Sequence, residues 1–206
     1  DHRDLHSFPT RRSSDLGNSY GSGAFENCAN LKSVSIAAGA ETAYIGDAAF
    51  KDCTSLEEIT VPGNYTTIYS DAFRGCRSLK KFVYNDNGIS RKIQNRAFYE
   101  CTSLVSLSLP TSLNSIGDEA FSGCSSLTAV DIPEGVKLIE YGVFNNCKLL
   151  KKVVIPSTIQ RIGNSYNTGA FQNCTSLSTV TIKEGSQAAT IRSEEHTSEL
   201  QSPCNL

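Results

Sequence analysis

Apolar positions return along this 206-residue chain at fixed distances, and a few residue types hold them. Phe25, Phe50, Phe73, Phe98, Phe121, Phe144 and Phe171 are each followed three residues later by a cysteine: Cys28, Cys53, Cys76, Cys101, Cys124, Cys147 and Cys174. Successive Phe residues lie 25, 23, 25, 23, 23 and 27 positions apart. Leu stands three after each Cys, and further apolar residues stand six and eight after it, as at Ile59/Val61 and Val153/Ile155. Pro62, Pro110, Pro133 and Pro156 follow directly, and Ile45, Ile68, Ile93, Ile116 and Ile139 each stand five before a Phe. The unit therefore reads I-G-x-x-A-F-x-x-C-x-S-L-x-x-V-x-I-P-x-x-V.

A period in the low twenties with invariant apolar positions predicts a solenoid, because no single unit can bury its apolar face and stacking supplies the core. The alternating, β-branched end of L-x-x-V-x-I predicts one short parallel strand per unit. Pro ends that strand, since it has no N–H for a further rung. Ala/Phe and Cys three apart predict one helical turn per unit, capped by Asp47 or Asp118. The predicted fold is a β-rich α/β solenoid, with one strand and one helical turn in each of seven 23–27-residue repeats. Strand spacing makes its sheet on the order of 34 Å long.

This unit resembles the leucine-rich repeat of the BspA type, and the resemblance covers residues 17–191. It implies a right-handed coil and a non-enzymatic, adhesin-like module that recognises a protein or glycan. It also implies a cell-surface or secreted location and a monomeric segment of a longer chain. The two ends read differently. Asp1–Leu16 and Arg192–Ser202 resemble translations of the paired adapters used in short-read DNA sequencing, so residues 1–16 and 192–206 are expected to be non-native, disordered or loosely packed segments. On that reading the repeat array is uncapped and interrupted at both joints. Residues 17–28 (GNSYGSGAFENC) also return 146 positions later as GNSYNTGAFQNC, which suggests a six-unit superrepeat.

Composition changes the chemistry rather than the fold. The chain carries 19 Lys+Arg against 21 Asp+Glu, which argues against a nucleic-acid partner, and no apolar run is long enough to insert in a membrane. All three His and Cys204 lie in the end segments, leaving residues 17–191 with no His and seven Cys. Without His the usual Ser/His and Cys/His nucleophile pairs are absent, so no catalytic residue is predicted. An odd cysteine count, no C-x-x-C and no His also leave no metal or cofactor site to predict. Each Cys is instead read as a small buried hydrophobe whose S–H reaches a neighbouring carbonyl. Glu57-Glu58 and Asp118-Glu119 are read as solvated charges, and Asp86-Asn87-Gly88 as a tight turn. Asn64 and Asn173 begin N-x-T sequons, which matter only in a eukaryotic secreted chain.

Residues four, five and seven after each Cys point away from the predicted core, and they vary while the core does not. Lys80-Lys81-Val83 and Lys151-Lys152-Val154 are the distinctive patches, basic with an exposed Val, and form the candidate partner-binding surface. Two other readings remain open: a stalk that holds another domain away from the cell, and the targeting part of an enzyme whose catalytic domain lies elsewhere.

Overall fold

The computed structural model describes residues 15–16, 23–39, 41–163, 169–184 and 190–191. They form short strands only: β1 (Asp15–Leu16), β2 (Ala43–Ile45), β3 (Glu58–Val61), β4 (Tyr65–Ile68), β5 (Lys81–Tyr84), β6 (Arg91–Ile93) and β7 (Ser106–Ser108). The series continues with β8 (Leu113–Ile116), β9 (Ala129–Asp131), β10 (Leu138–Ile139), β11 (Lys152–Ile155), β12 (Arg161–Ile162), β13 (Thr179–Ile182) and β14 (Thr190–Ile191). Every pairing is parallel and joins equivalent positions one unit apart, as in Ile59↔Phe82↔Leu107 or Val130↔Val153↔Val180. The result is a parallel β-solenoid of about six turns.

Two expectations are corrected by this arrangement. A unit carries two strands, not one: β3, β5, β7, β9, β11 and β13 follow the Cys, and the even-numbered strands precede the next Phe. The even strands, joined by β1, pair in the orders β1-β2-β4-β6-β8 and β10-β12-β14. Of the seven sequence units, the first is incomplete. Its post-Cys strand is reduced to the single bridge Ser33↔Glu58, Phe25 is only half-buried, and Cys28 is exposed. Asp15 and Leu16, assigned above to an end segment, pair with Tyr44 and Ile45. The rest of both end segments, and much of the two stretches behind the superrepeat, lie outside the described residues.

The predicted helical turn is also replaced. Among the described residues there is no helix, so the fold is a β-solenoid and not an α/β one. The residue before each Cys is left-handed at all seven positions, from Asn27 (φ 61°) through Asp52, Gly75, Glu100, Gly123 and Asn146 to Asn173. A second left-handed column precedes the Ala-Phe pair at Ala48, Asp71, Arg96, Glu119 and Gly142. Left-handed residues cannot continue a right-handed helix. The turns close instead with three-residue bonds such as Cys53 N–H to Phe50 O, at 3.2 Å. Their remaining N–H groups donate to the next unit: Phe50 to Ala72 O (2.8 Å), Phe73 to Ala97 O (2.7 Å), Phe98 to Ala120 O (2.8 Å). Asp47 and Asp118 follow the same direction, accepting from the N–H of Ser70 and Tyr141 one unit on rather than capping their own turn. The serine-bearing turns after Cys close likewise, with Leu56 N–H on Cys53 O at 3.1 Å.

Parallel stacking at one fixed register puts identical side chains above one another. The seven Phe rings form a continuous pile with centroids 5.1–5.6 Å apart and planes within 15° of parallel. Beside it runs the cysteine column. Each Cys from Cys53 onward donates its S–H to the Phe carbonyl of the preceding unit, Cys53 to Phe25, Cys76 to Phe50, and so on to Cys174 and Phe144, at 3.1–3.3 Å. Burial pushes the Cys53 thiol up to about 12 and drives the interior thiols further in the same direction. A thiol that does not ionise does not react. Brief titration of the native chain with an aromatic disulfide reagent is therefore expected to label Cys28 and to spare Cys53 through Cys174 until denaturant is added. Rapid labelling of the interior six would contradict the column.

Candidate functional site

The odd strands β3 to β13 alternate inward and outward, so the residues four, five and seven after Cys form an outer ladder. Lys80, Lys81, Lys151 and Lys152 are exposed on it, as expected. Val83 and Val154 are not: both are half-buried, each with a paired strand on either side, Val83 between Thr60 and Ser108 and Val154 between Asp131 and Thr181. In register, Lys81 stands between Glu58 and Ser106, and Lys152 between Ala129 and Thr179. The two lysine pairs sit on different three-stranded sheets, three rungs or about 14 Å apart.

Their surroundings differ in charge. Lys80 Nζ is 2.9 Å from Glu57 Oε2, one unit back, and this contact lowers the Glu57 carboxyl below its ordinary range. Lys151 and Lys152 have no such acidic neighbour in strand register. Between the pairs the ladder is small and uncharged: Val105, Ser106, Ser108, Thr128 and Ala129, with Val105 49% exposed. Asp131 at its far edge is turned to Lys183 (3.3 Å), which also reaches Glu134. The outer face thus offers a strip of small residues with Asp131 at its edge, between a lysine pair that faces Glu57 and Glu58 and a second pair, Lys151 and Lys152, without acidic neighbours in register.

Three of the four carboxylates in the two sequence pairs are held by a neighbour. Glu57 is tied to Lys80, Glu119 Oε2 accepts from Arg96 Nε at 2.7 Å, and Asp118 accepts a backbone N–H. Among the described residues no group of three or more His, Cys, Asp or Glu side chains is placed to hold a metal ion. The sequons fare unequally. Asn173 is exposed, whereas Asn64 is half-buried and donates from Nδ2 to Glu41 O at 3.0 Å.

A polar cluster that sequence reasoning missed lies behind Asp86-Asn87-Gly88. This segment is a tight turn, with Gly88 N–H on Asp86 Oδ1 at 2.9 Å and Gly88 at φ 78°. It also folds over Arg91, which is fully buried. Arg91 Nη1 donates to Asp86 Oδ1 (3.1 Å), Ile89 O (2.7 Å) and Ser112 Oγ, and Nη2 donates to Asn87 Oδ1 (2.7 Å) and Gly63 O. Its guanidinium lies 5.2 Å over the Tyr84 ring, and only Nε lacks a partner. Asp86 accepts in turn from Ser112 Oγ (2.6 Å) and Thr111 Oγ1 (2.6 Å), whose hydroxyls hold its carboxyl well below the ordinary carboxylate range. Arg91 stands opposite Leu113 in a column otherwise filled by Ala43, Tyr65, Leu113, Val136 and Ile159. The signal was a single charge at an apolar repeat position, displaced by the loop insertion that precedes it. With every strong donor directed inward to protein acceptors, this cluster reads as a structural pin.

The stacked strands, ringed pile and outer ladder define a repeat protein with an extended face. The family profile described as "BspA type Leucine rich repeat region" matches residues 12–90 and 91–201 in six copies, and the chain belongs to that family. Among solved structures, the T. pallidum leucine rich repeat protein is 31% identical, with a TM-score of 0.61 over 67% of this chain. A leucine rich cell surface protein from Faecalibacterium prausnitzii A2-165 is 21% identical over 77% of this chain, with a TM-score of 0.41. This chain spans 62% of the length of each of those two proteins. No curated protein matches it.

Proposed function

We propose that the chain is a non-enzymatic recognition module that holds an anionic protein or glycan partner on its outer strand ladder, as part of a cell-surface or secreted protein with an adhesin-like role. The observation that carries the reading is the contrast between columns. Phe, Cys and Leu recur in every unit and the inward positions of the odd strands stay apolar, while the outward positions of those strands change in charge and size from unit to unit and place four exposed lysines, in two pairs, on either side of a strip of small residues. A surface set on a repeated core and varied only on its outer face is suited to selective binding. The lysines supply attraction and orientation, and the strip of small residues between them supplies contact area free of the cost of desolvating charge.

The test is charge reversal of Lys80, Lys81, Lys151 and Lys152 to Glu, with both forms applied to a host-protein and glycan array. Binding of the wild-type chain to an acidic subset, lost in the variant and weakened by salt, is the expected result. Unchanged binding to every partner would favour a stalk.

A further inference from the structure

We propose that the solenoid contains a built-in flexure between its fourth and fifth units, which divides it into two cooperative blocks and lies between the two lysine pairs. Both sheets stop at the same place: β7 ends one three-stranded sheet and β9 begins the other, and on the opposite side β8 ends one sheet and β10 begins the next. The missing rungs are specific. Lys80 N–H bonds to Glu57 O, Val105 to Lys80 O, Lys151 to Thr128 O and Ser178 to Lys151 O, all at 2.8–3.1 Å, but Thr128 N–H makes no bond to Val105 O. On the other sheet Gln94 bonds to Ile68 O, Gly117 to Ile93 O and Gly163 to Ile139 O at 2.8–2.9 Å, and the equivalent bond from Glu140 to Ile116 O is absent.

The residues at the seam explain why it opens there. Leu107 and Leu109 are half-buried, whereas their counterparts in the other interior units, Ile59, Val61, Phe82, Tyr84, Val130, Ile132, Val153 and Ile155, are all buried. On the outer face Ser106 and Ser108 precede Ala129 and Asp131 in the ladder, so no pair of large outward side chains grips across the gap. Asp131 is held instead by Lys183, two units further on, at 3.3 Å. The turns along the Phe–Cys edge keep the blocks from separating, with Arg96 N–H on Asp118 O, Phe98 N–H on Ala120 O and Glu100 N–H on Ser122 O at 2.8–2.9 Å and Arg96 Nε on Glu119 Oε2 at 2.7 Å. The Phe98 and Phe121 rings stack at 5.1 Å beside the Cys124 S–H bond to Phe98 O, and Gly135 lies so close to unit four that a Cβ there would meet Leu113 O at 2.4 Å. The blocks therefore flex about a persistent Phe–Cys edge. In a stacked array, stability is a sum of unit and interface contributions, and the weakest interface sets the boundary between cooperative units. Because Lys80 and Lys81 lie on one side and Lys151 and Lys152 on the other, the flexure also sets the span that a bridging partner meets; this last consequence rests on the recognition reading, the flexure itself does not.

Native-state amide exchange on the unmodified chain, followed residue by residue at rising urea, tests it without any variant. The amides of Thr128 and Glu140 are expected to exchange at least ten-fold faster than those of Val105, Lys151, Gly117 and Gly163. Amides of the first block, reported by Phe73, and of the second, reported by Phe144, are expected to follow separate isotherms. Protection of Thr128 and Glu140 equal to that of their neighbours, or one isotherm shared by Phe73 and Phe144, would overturn the proposal. Either result leaves the array-binding test of the lysines untouched.

Discussion

Replacing Phe98 by alanine is expected to cost about 3–5 kcal/mol of folding stability, the range for emptying a fully buried aromatic site. The ring is buried and touches three others, Phe73 at 5.1 Å, Phe121 at 5.1 Å and Phe82 at 4.5 Å edge-on. Its removal loses both transfer free energy and the contacts lining the cavity. The backbone cannot close over that cavity, because the Phe98 N–H and C=O are fixed by the bonds to Ala120 O and from the Cys124 S–H. Phe25→Ala is the control: the same substitution at the half-buried end of the pile should cost much less. Urea unfolding followed by circular dichroism measures both. Equal costs at the two positions would mean that the pile is not a continuous core.

The second large effect concerns the buried cation. Asp86→Ala is expected to cost about 3–5 kcal/mol, because it strips the counter-charge from a guanidinium that has no access to water. The double variant Asp86→Ala/Arg91→Leu should recover most of that loss, since it restores the apolar residue type found at Leu113, Val136 and Ile159 in the same column. A double variant no more stable than Asp86→Ala alone would refute the electrostatic account of the cluster. The pH dependence has a definite sign. The Asp86 carboxyl is held below its ordinary value of 3.8 in the folded chain. Its contribution is therefore fully present above that value and is lost as pH falls through the depressed folded-state value. The advantage of wild type over Asp86→Asn should accordingly be constant above about pH 5 and shrink in acid.

The core was legible in the sequence because stacking imposes one residue type on one column. Phe and Cys at fixed spacing sufficed to place the pile, the thiol column and the odd strands. The turn beside them was misread because Phe and Cys three apart also fit one face of a helix. Asn27, Asp52, Gly75, Gly123, Asn146 and Asn173, all residues that tolerate φ > 0, stood in the column before Cys and carried the contrary signal. The even strands went unseen for a different reason. Sequences such as YTTI and LNSI are short and are buried only at their two ends, so they show no period-two alternation. Arg91 was hidden by an insertion that moved it out of the repeat frame, and its burial depends on a loop folding back over it. Exposure of the lysines followed from register, but the partial burial of Val83 and Val154 depended on their cross-strand neighbours. The seam between units four and five arises from missing rungs, which no column of residues announces.

The account turns on a division of labour, in which the repeated inward columns hold the solenoid and the varied outer ladder of the odd strands holds the partner. An amide-exchange footprint with an acidic partner selected on the array tests this most directly. Slowed exchange is expected in β5, β7, β9 and β11 around Lys81, Val105, Ala129 and Lys152, with the Phe–Cys turns and the even strands unchanged. Slowing confined to the turns or to the even strands would contradict it.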